Sequence, residues 1–179
     1  MIGLKRGAVA LEEHQACWDE SAAETAAVLW EVLKDRAIDI QHVGSTSVKQ
    51  ICAKPIIDIA VGLRDLSSVE QVIPLLEKRH IVFRGMDHPE QFLFVKGDFA
   101  RDIRTHHIHM VIWGSVQWND YINFRDYLNA DSGKAKEYEA LKLQLAQEYF
   151  NDRNAYTTGK TELIERLLKE AKAWRAQHG

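Results

Sequence analysis

The chain has 179 residues, enough to bury one sizeable core, and its 46% apolar and 27% charged residues are ordinary for a globular protein. A net charge of −3 lacks the basic surplus of a general nucleic-acid binder, although a nucleotide stays open as a small ligand. The apolar stretch Ile56 to Leu63 is short and interrupted by Asp58, well below the ~20 residues of a membrane span. The first residues lack the apolar core of a secretory signal. Cys17 and Cys52 form neither a metal spacing nor a disulfide framework and suit a reducing compartment. A cytoplasmic protein with no membrane or nucleic-acid partner is expected.

Residues 1–11 read as an arm with a short edge strand. Ala16, Ala22, Ala23, Ala26, Ala27, Trp30 and Leu33 recur near helical spacing and predict an amphipathic helix over 12–35. A strand over 38–43 runs into Gly44-Ser45-Thr46-Ser47, whose composition is that of a helix start. An apolar strand follows over 56–63, then a helix over about 67–79 with Ser67 or Ser68 as cap. Short strands are expected near 81–84 and 92–96. The alternation from Asp102 to Ile112 predicts one long strand carrying a histidine cluster. Helices are expected over 116–130, 132–149 and 155–176, broken at Asp131 and at 151–154. This order gives an α+β fold, a mixed sheet with helices on one face and a C-terminal helical segment.

A strand that enters Gly44-Ser45 and then a helix leaves backbone N–H groups free to hold an anion, with Ser45, Thr46 and Ser47 as hydroxyl donors. Read more plainly, the same residues are only a cap. Strand alternation puts Ile57, Ile59, Val61 and Leu63 on one face and Asp58 on the other, among the small residues Ala60 and Gly62. A lone carboxylate there needs a cation, a metal or hydrogen-bond donors. A salt bridge to a core lysine or arginine would also satisfy it. His107 and His109 share one strand face, and packed beside Asp58 they are suited to chelate a metal or contact phosphate oxygens. Lys160 in Gly159-Lys160-Thr161 is not a P-loop lysine, because Asn154 stands where that motif needs glycine and the context is helical. It either reaches an anion from a helix start or is solvated. Arg125 is a phosphate fork or a partner of Asp126.

The segments HVGSTSV, AKPIIDIAVGL, RTHHIHMV, NFRDYLNA, KEYEALKLQLA and NDRNAYTTGKTELI run nearly end to end. Together they resemble the GrpB family, a branch of the polymerase-β-like nucleotidyltransferase superfamily. The resemblance implies a single GrpB-like domain over 1–179, with an α/β core over 1–115 and C-terminal helices over 116–179. It implies a Gly44–Ser45 turn that binds a nucleoside triphosphate and a divalent metal held by Asp58, either magnesium or a transition metal, with a nucleotidyl group moving to a small acceptor. Lys54, Arg125, Lys160, His107 and His109 would steady the phosphates. The superfamily places a second carboxylate two residues beyond the first; here that residue is Ala60. Two alternatives follow: a catalytically silent nucleotide- or phosphate-binding module, and a single-metal hydrolase using Asp58, His107 and His109.

Overall fold

A computed structural model describes residues 2–178. Its strands are β1 (Leu4–Lys5), β2 (Ala37–Val43), β3 (Ile57–Leu63), β4 (Ile81–His88), β5 (Gln91–Lys96), β6 (Ile103–Arg104) and β7 (His106–Ile112). Its helices are α1 (Ala16–Leu33), α2 (Val69–Glu77), α3 (Val116–Ala130), α4 (Ser132–Glu148), α5 (Arg153–Thr158) and α6 (Thr161–His178). Five strands form a mixed sheet in the order β2-β3-β7-β5-β4, and β1 pairs separately with β6. The β3–β7 pair is parallel, and the other pairs in the sheet are antiparallel.

The alternation read from β3 decides how the sheet is covered. Ile57, Ile59, Val61 and Leu63 are fully buried with Ile108 and Met110 of β7, against Trp18, Leu29 and Leu33 of α1 and Val72 and Leu76 of α2. Truncating one of these leucines or isoleucines to alanine costs about 2–5 kcal/mol, the transfer term plus the cavity. On the other face, Ala60 and Val111 pack against Trp118 of α3. The absence of a side chain at Gly62 permits that approach, because a Cβ there would lie 2.7 Å from Trp113 and 3.1 Å from Trp118. The C-terminal segment thereby closes over part of the sheet face that carries Asp58.

Three local expectations need correction. The strand expected over 102–112 starts only after Asp102, whose φ is 53°, and is two pieces because Thr105 turns its N–H and hydroxyl to the Lys96 carbonyl. β6 pairs with the N-terminal arm and β7 enters the main sheet. The helix expected over 155–176 is interrupted at Gly159 and Lys160, where a Cβ on Gly159 would meet the Leu145 side chain at 2.7 Å. Finally, Gly44–Ser47 does not open a full helix. Residues Ser45–Ser47 form a single 3₁₀ turn, and Val48 returns to extended backbone. The Ser47 hydroxyl donates to the Gly44 carbonyl at 2.6 Å, a local bond that competes with helix continuation.

Candidate functional site

Asp58 and His107 are aligned across the parallel β3–β7 pair, as are Ala60 and His109. Aligned residues share a face, so one carboxylate and two imidazoles stand together. His107 Nδ1 lies 3.4 Å and His109 Nε2 3.6 Å from the same oxygen, Oδ1 of Asp58. Among the described residues these imidazoles, and not a core lysine or arginine, are the ion-pair partners of Asp58. Burial alone would raise the carboxyl pKa; hydrogen bonding and charge from the two histidines outweigh it and hold the group well below the usual carboxylate range. On its outer side His109 is covered by the Tyr121 ring, stacked with centroids 5.1 Å apart.

Asp58 is 29% exposed, and the space beside it is a cavity of about 230 Å³. Gly44, Ser45, Lys54, His107 and Lys160 line that cavity with it. Gly44 is required at this corner: its φ is 69°, and a Cβ would lie 2.5 Å from Asp58 Oδ2. Ser45 shares the wall with Tyr138. Lys54 and Lys160 each lie over the Tyr156 ring, at 5.2 and 4.6 Å from its centroid.

The other sequence candidates lie elsewhere. Thr46 is buried, its hydroxyl 2.9 Å from His42 Nε2. Ser47 is held by Gly44 and by Asn129, which donates to its carbonyl at 3.0 Å. Arg125 Nη1 donates to Gln41 Oε1 at 2.8 Å and to the His42 carbonyl at 3.1 Å, while its Nε bonds Asp126. These three residues brace β2 and the turn behind the cavity and do not line it.

Sequence reasoning missed Lys142, Arg153, Tyr138, Tyr156 and Thr157, all in the cavity wall. A signal for Lys142 existed. Ala135, Tyr138, Lys142 and Leu145 form the buried stripe of α4, and a lysine on an apolar stripe is anomalous. Lys142 is 1% exposed; its ammonium donates to the Cys52 carbonyl and lies 4.7 Å from the centre of the Tyr138 ring. Burial, then the nearby charge of Lys160, pushes its pKa down to about 7. Burial and the charges of Lys160 and Arg153 bring Lys54 to about 8, and burial also lowers Lys160. Three crowded amines and a guanidinium facing one carboxylate form a cavity short of negative charge.

A second cavity of about 520 Å³ shares Gly44 and Phe124 with the first. Its walls include Tyr121, Ile164 and Leu168, so it is mostly apolar. Gln91 lies at its edge, nearly fully buried, accepting from the Tyr121 hydroxyl at 3.0 Å and donating to Asp87 at 2.9 Å.

The profile of the family described as GrpB protein matches residues 8–170. The chain belongs to the GrpB family. It is 37% identical over 174 residues to the glutamate-rich protein GrpB of Alkalihalophilus pseudofirmus, covering 95% of this chain and 99% of that protein. It is 35% identical to the UPF0157 protein YqkA of Bacillus subtilis over 88% of this chain, but only 46% of that longer protein. The crystal structure of GrpB from Enterococcus faecalis superposes with a TM-score of 0.84 at 31% identity, covering 92% and 99% of the two chains. The poly(U) polymerase Cid1, solved with its short product ApU, shares the fold at a TM-score of 0.53 and 10% identity, over 83% of this chain and 48% of Cid1. A nucleotidyltransferase-like fold is therefore established for this GrpB protein. None of its helices among the described residues is long and apolar enough to cross a membrane.

A related Cid1 structure is described as bound to MgGTP. Magnesium takes oxygen ligands, and here Asp58 is the one carboxylate in the cavity wall, with Ala60 at the alternate position of the strand. Its Oδ1 already faces two imidazole nitrogens. Among the described residues no group of three or more His, Cys, Asp or Glu is arranged to hold an ion. The donor set does not fit a pair of magnesium ions, so no chemical step is assigned to one.

Proposed function

We propose that this GrpB protein binds a nucleoside polyphosphate or a closely related phosphorylated small molecule, and that its reaction is nucleotidyl transfer to a small acceptor. The observation that carries this reading is the convergence of Lys54, Lys142, Lys160 and Arg153 on one cavity beside Ser45 and Asp58. Four cationic side chains that lose solvation and share one wall carboxylate, Asp58, are stabilised by an anionic ligand. At about 230 Å³ the basic cavity is smaller than the roughly 300–1,000 Å³ typical of ligand pockets. The apolar cavity beyond Gly44 and Phe124 supplies the remaining room, with Tyr121 and Phe124 as flat faces for a ring.

In such a reaction the lysines and Arg153 stabilise charge on the phosphoryl oxygens, in the manner of a preorganised electrostatic site. His107, oriented through Nδ1 by Asp58, faces the cavity and is placed to accept a proton from the attacking hydroxyl. Ala60 favours a second reading, nucleotide binding without turnover, because the two-carboxylate clamp of the fold is incomplete.

The two readings separate in one experiment. Thermal unfolding with nucleoside triphosphates is followed with and without magnesium, and pyrophosphate release is measured across a panel of small acceptors. Binding at 100 times Kd adds ~2.7 kcal/mol of stability. Stabilisation with pyrophosphate release supports transfer, stabilisation alone supports the silent module, and neither defeats both.

A further inference from the structure

The anion-attracting lining continues beyond the basic cavity. Arg153 and Thr157 belong both to that cavity and to an open cleft of about 630 Å³ on the outer side of α5. Arg6 of the N-terminal arm, Asn151 and Asn154 complete the cleft. These side chains all offer N–H or O–H donors. One carboxylate, Asp152, also lines the cleft; its Oδ1 caps α5, accepting from the backbone of Asn154 and Ala155 at 3.1 and 3.0 Å, and its charge is outnumbered by the two guanidinium groups. Neither Arg6 nor Arg153 has a carboxylate partner among the described residues.

Arg6 is also presented from anchored backbone. Its N–H donates to the Asp102 carbonyl at 3.0 Å, and three residues on Val9 N–H donates to the Phe150 carbonyl at 3.2 Å. The arm is thus tied on both sides of Gly7, where φ is 89° and the chain turns over the cleft. A single unpaired surface arginine would mean little. Two of them line one cleft, and Arg153 also lines the lysine-bearing cavity, so cationic groups stand in both adjoining spaces.

We infer that the Arg6–Arg153 cleft is a second anion subsite, which receives a phosphate lying beyond those held in the basic cavity. This rests on the reading of the basic cavity as a phosphate site. The phosphate belongs either to the distal end of the same ligand or to a separate phosphorylated co-substrate. Guanidinium groups hold a phosphate by paired N–H donors in either case.

Titration calorimetry of the full chain with orthophosphate, pyrophosphate, tripolyphosphate and tetrapolyphosphate tests it, using wild type, Arg6→Gln and Lys160→Gln. Arg6→Gln should bind pyrophosphate within about twofold of wild type, and lose about tenfold or more either in tetrapolyphosphate affinity or in a second orthophosphate site, the size expected for one charge-assisted contact. Loss confined to the longer chains assigns the subsite to the same ligand. Two orthophosphates on wild type and one on Arg6→Gln assign it to a separate molecule. Arg6→Lys should restore part of either loss. Arg6→Gln indistinguishable from wild type with all four probes overturns the subsite while leaving the cavity reading intact. Lys160→Gln without effect on any probe, or a wild type that binds none, overturns the cavity reading and the subsite with it.

Discussion

Asp58 and His107 stand side by side in parallel strands, and the carboxylate oxygen Oδ1 of one faces Nδ1 of the other at 3.4 Å. The pair places the one carboxylate of the cavity wall against an imidazole on one side and four cationic side chains on the other. Asp58 therefore has two opposed effects: it repels an anionic ligand, and it orients the group proposed to move a proton.

Asp58→Asn separates these effects. Removing the negative charge should raise tripolyphosphate affinity a few-fold, while pyrophosphate release should fall by about 10²–10⁴, the usual contribution of a positioned acid–base group. Calorimetry and a coupled pyrophosphate assay read the two independently. A parallel loss of binding would show that Asp58 holds the ligand and does not repel it.

The lysine cluster gives opposite pH responses in the free and bound protein. Lys142 and Lys54 are held at about 7 and about 8 in the fold, below the ordinary lysine value of 10.5. Between those values and 10.5 the unfolded chain binds more protons, so this contribution to stability rises with pH from about 7 upward. An anionic ligand needs the charged amines, so the thermal shift it produces should shrink over pH 6.5–9. Chemical unfolding and thermal shift with tripolyphosphate across that range check both slopes.

His106 predicts a response on the acid side. Its Nε2 is 3.2 Å from both the Ser21 and Thr25 hydroxyls of α1, and burial together with Lys96 lowers its pKa from 6.5 to about 4. The folded protein keeps this ring neutral while the unfolded chain protonates it. The contribution is whole above pH 6.5 and is lost as pH falls towards 4, by ~3 kcal/mol at 1.36 kcal/mol per unit. Urea unfolding between pH 7 and 4 should show this loss, and His106→Gln should flatten it.

Gly44→Ala should cost ~1–3 kcal/mol, because the backbone at φ 69° is one that only glycine adopts freely and the new methyl meets Asp58 Oδ2. Displacing that carboxylate should also change ligand affinity. A variant with unchanged stability and binding would contradict the described corner.

The alternation in β3 and β7 was enough to place Asp58, His107 and His109 on one face, because period-two patterning is a local property of the strand. The mixed sheet and the C-terminal helices were legible for the same reason, from strand and helix periodicity. What surrounds Asp58 was harder to read. Lys142, Arg153 and Tyr156 come from helices 84 to 98 positions after Asp58 in the chain, and tertiary packing alone brings them to the cavity. Arg125 shows the converse. Its pairing with Asp126 could be read from adjacent positions and is present, whereas its partners Gln41 and His42 lie on a distant strand and could not. The helix expected after Gly44 failed at Ser47, whose hydroxyl bonds back to the Gly44 carbonyl.

A crystal structure of the chain with a non-hydrolysable nucleoside triphosphate is the most direct measurement. Phosphate oxygens within hydrogen-bonding distance of Ser45, Lys54 and Lys160, with the ring between Tyr121 and Phe124, are the expected result. A triphosphate bound away from Asp58, or a basic cavity that stays empty at saturating ligand, would contradict it.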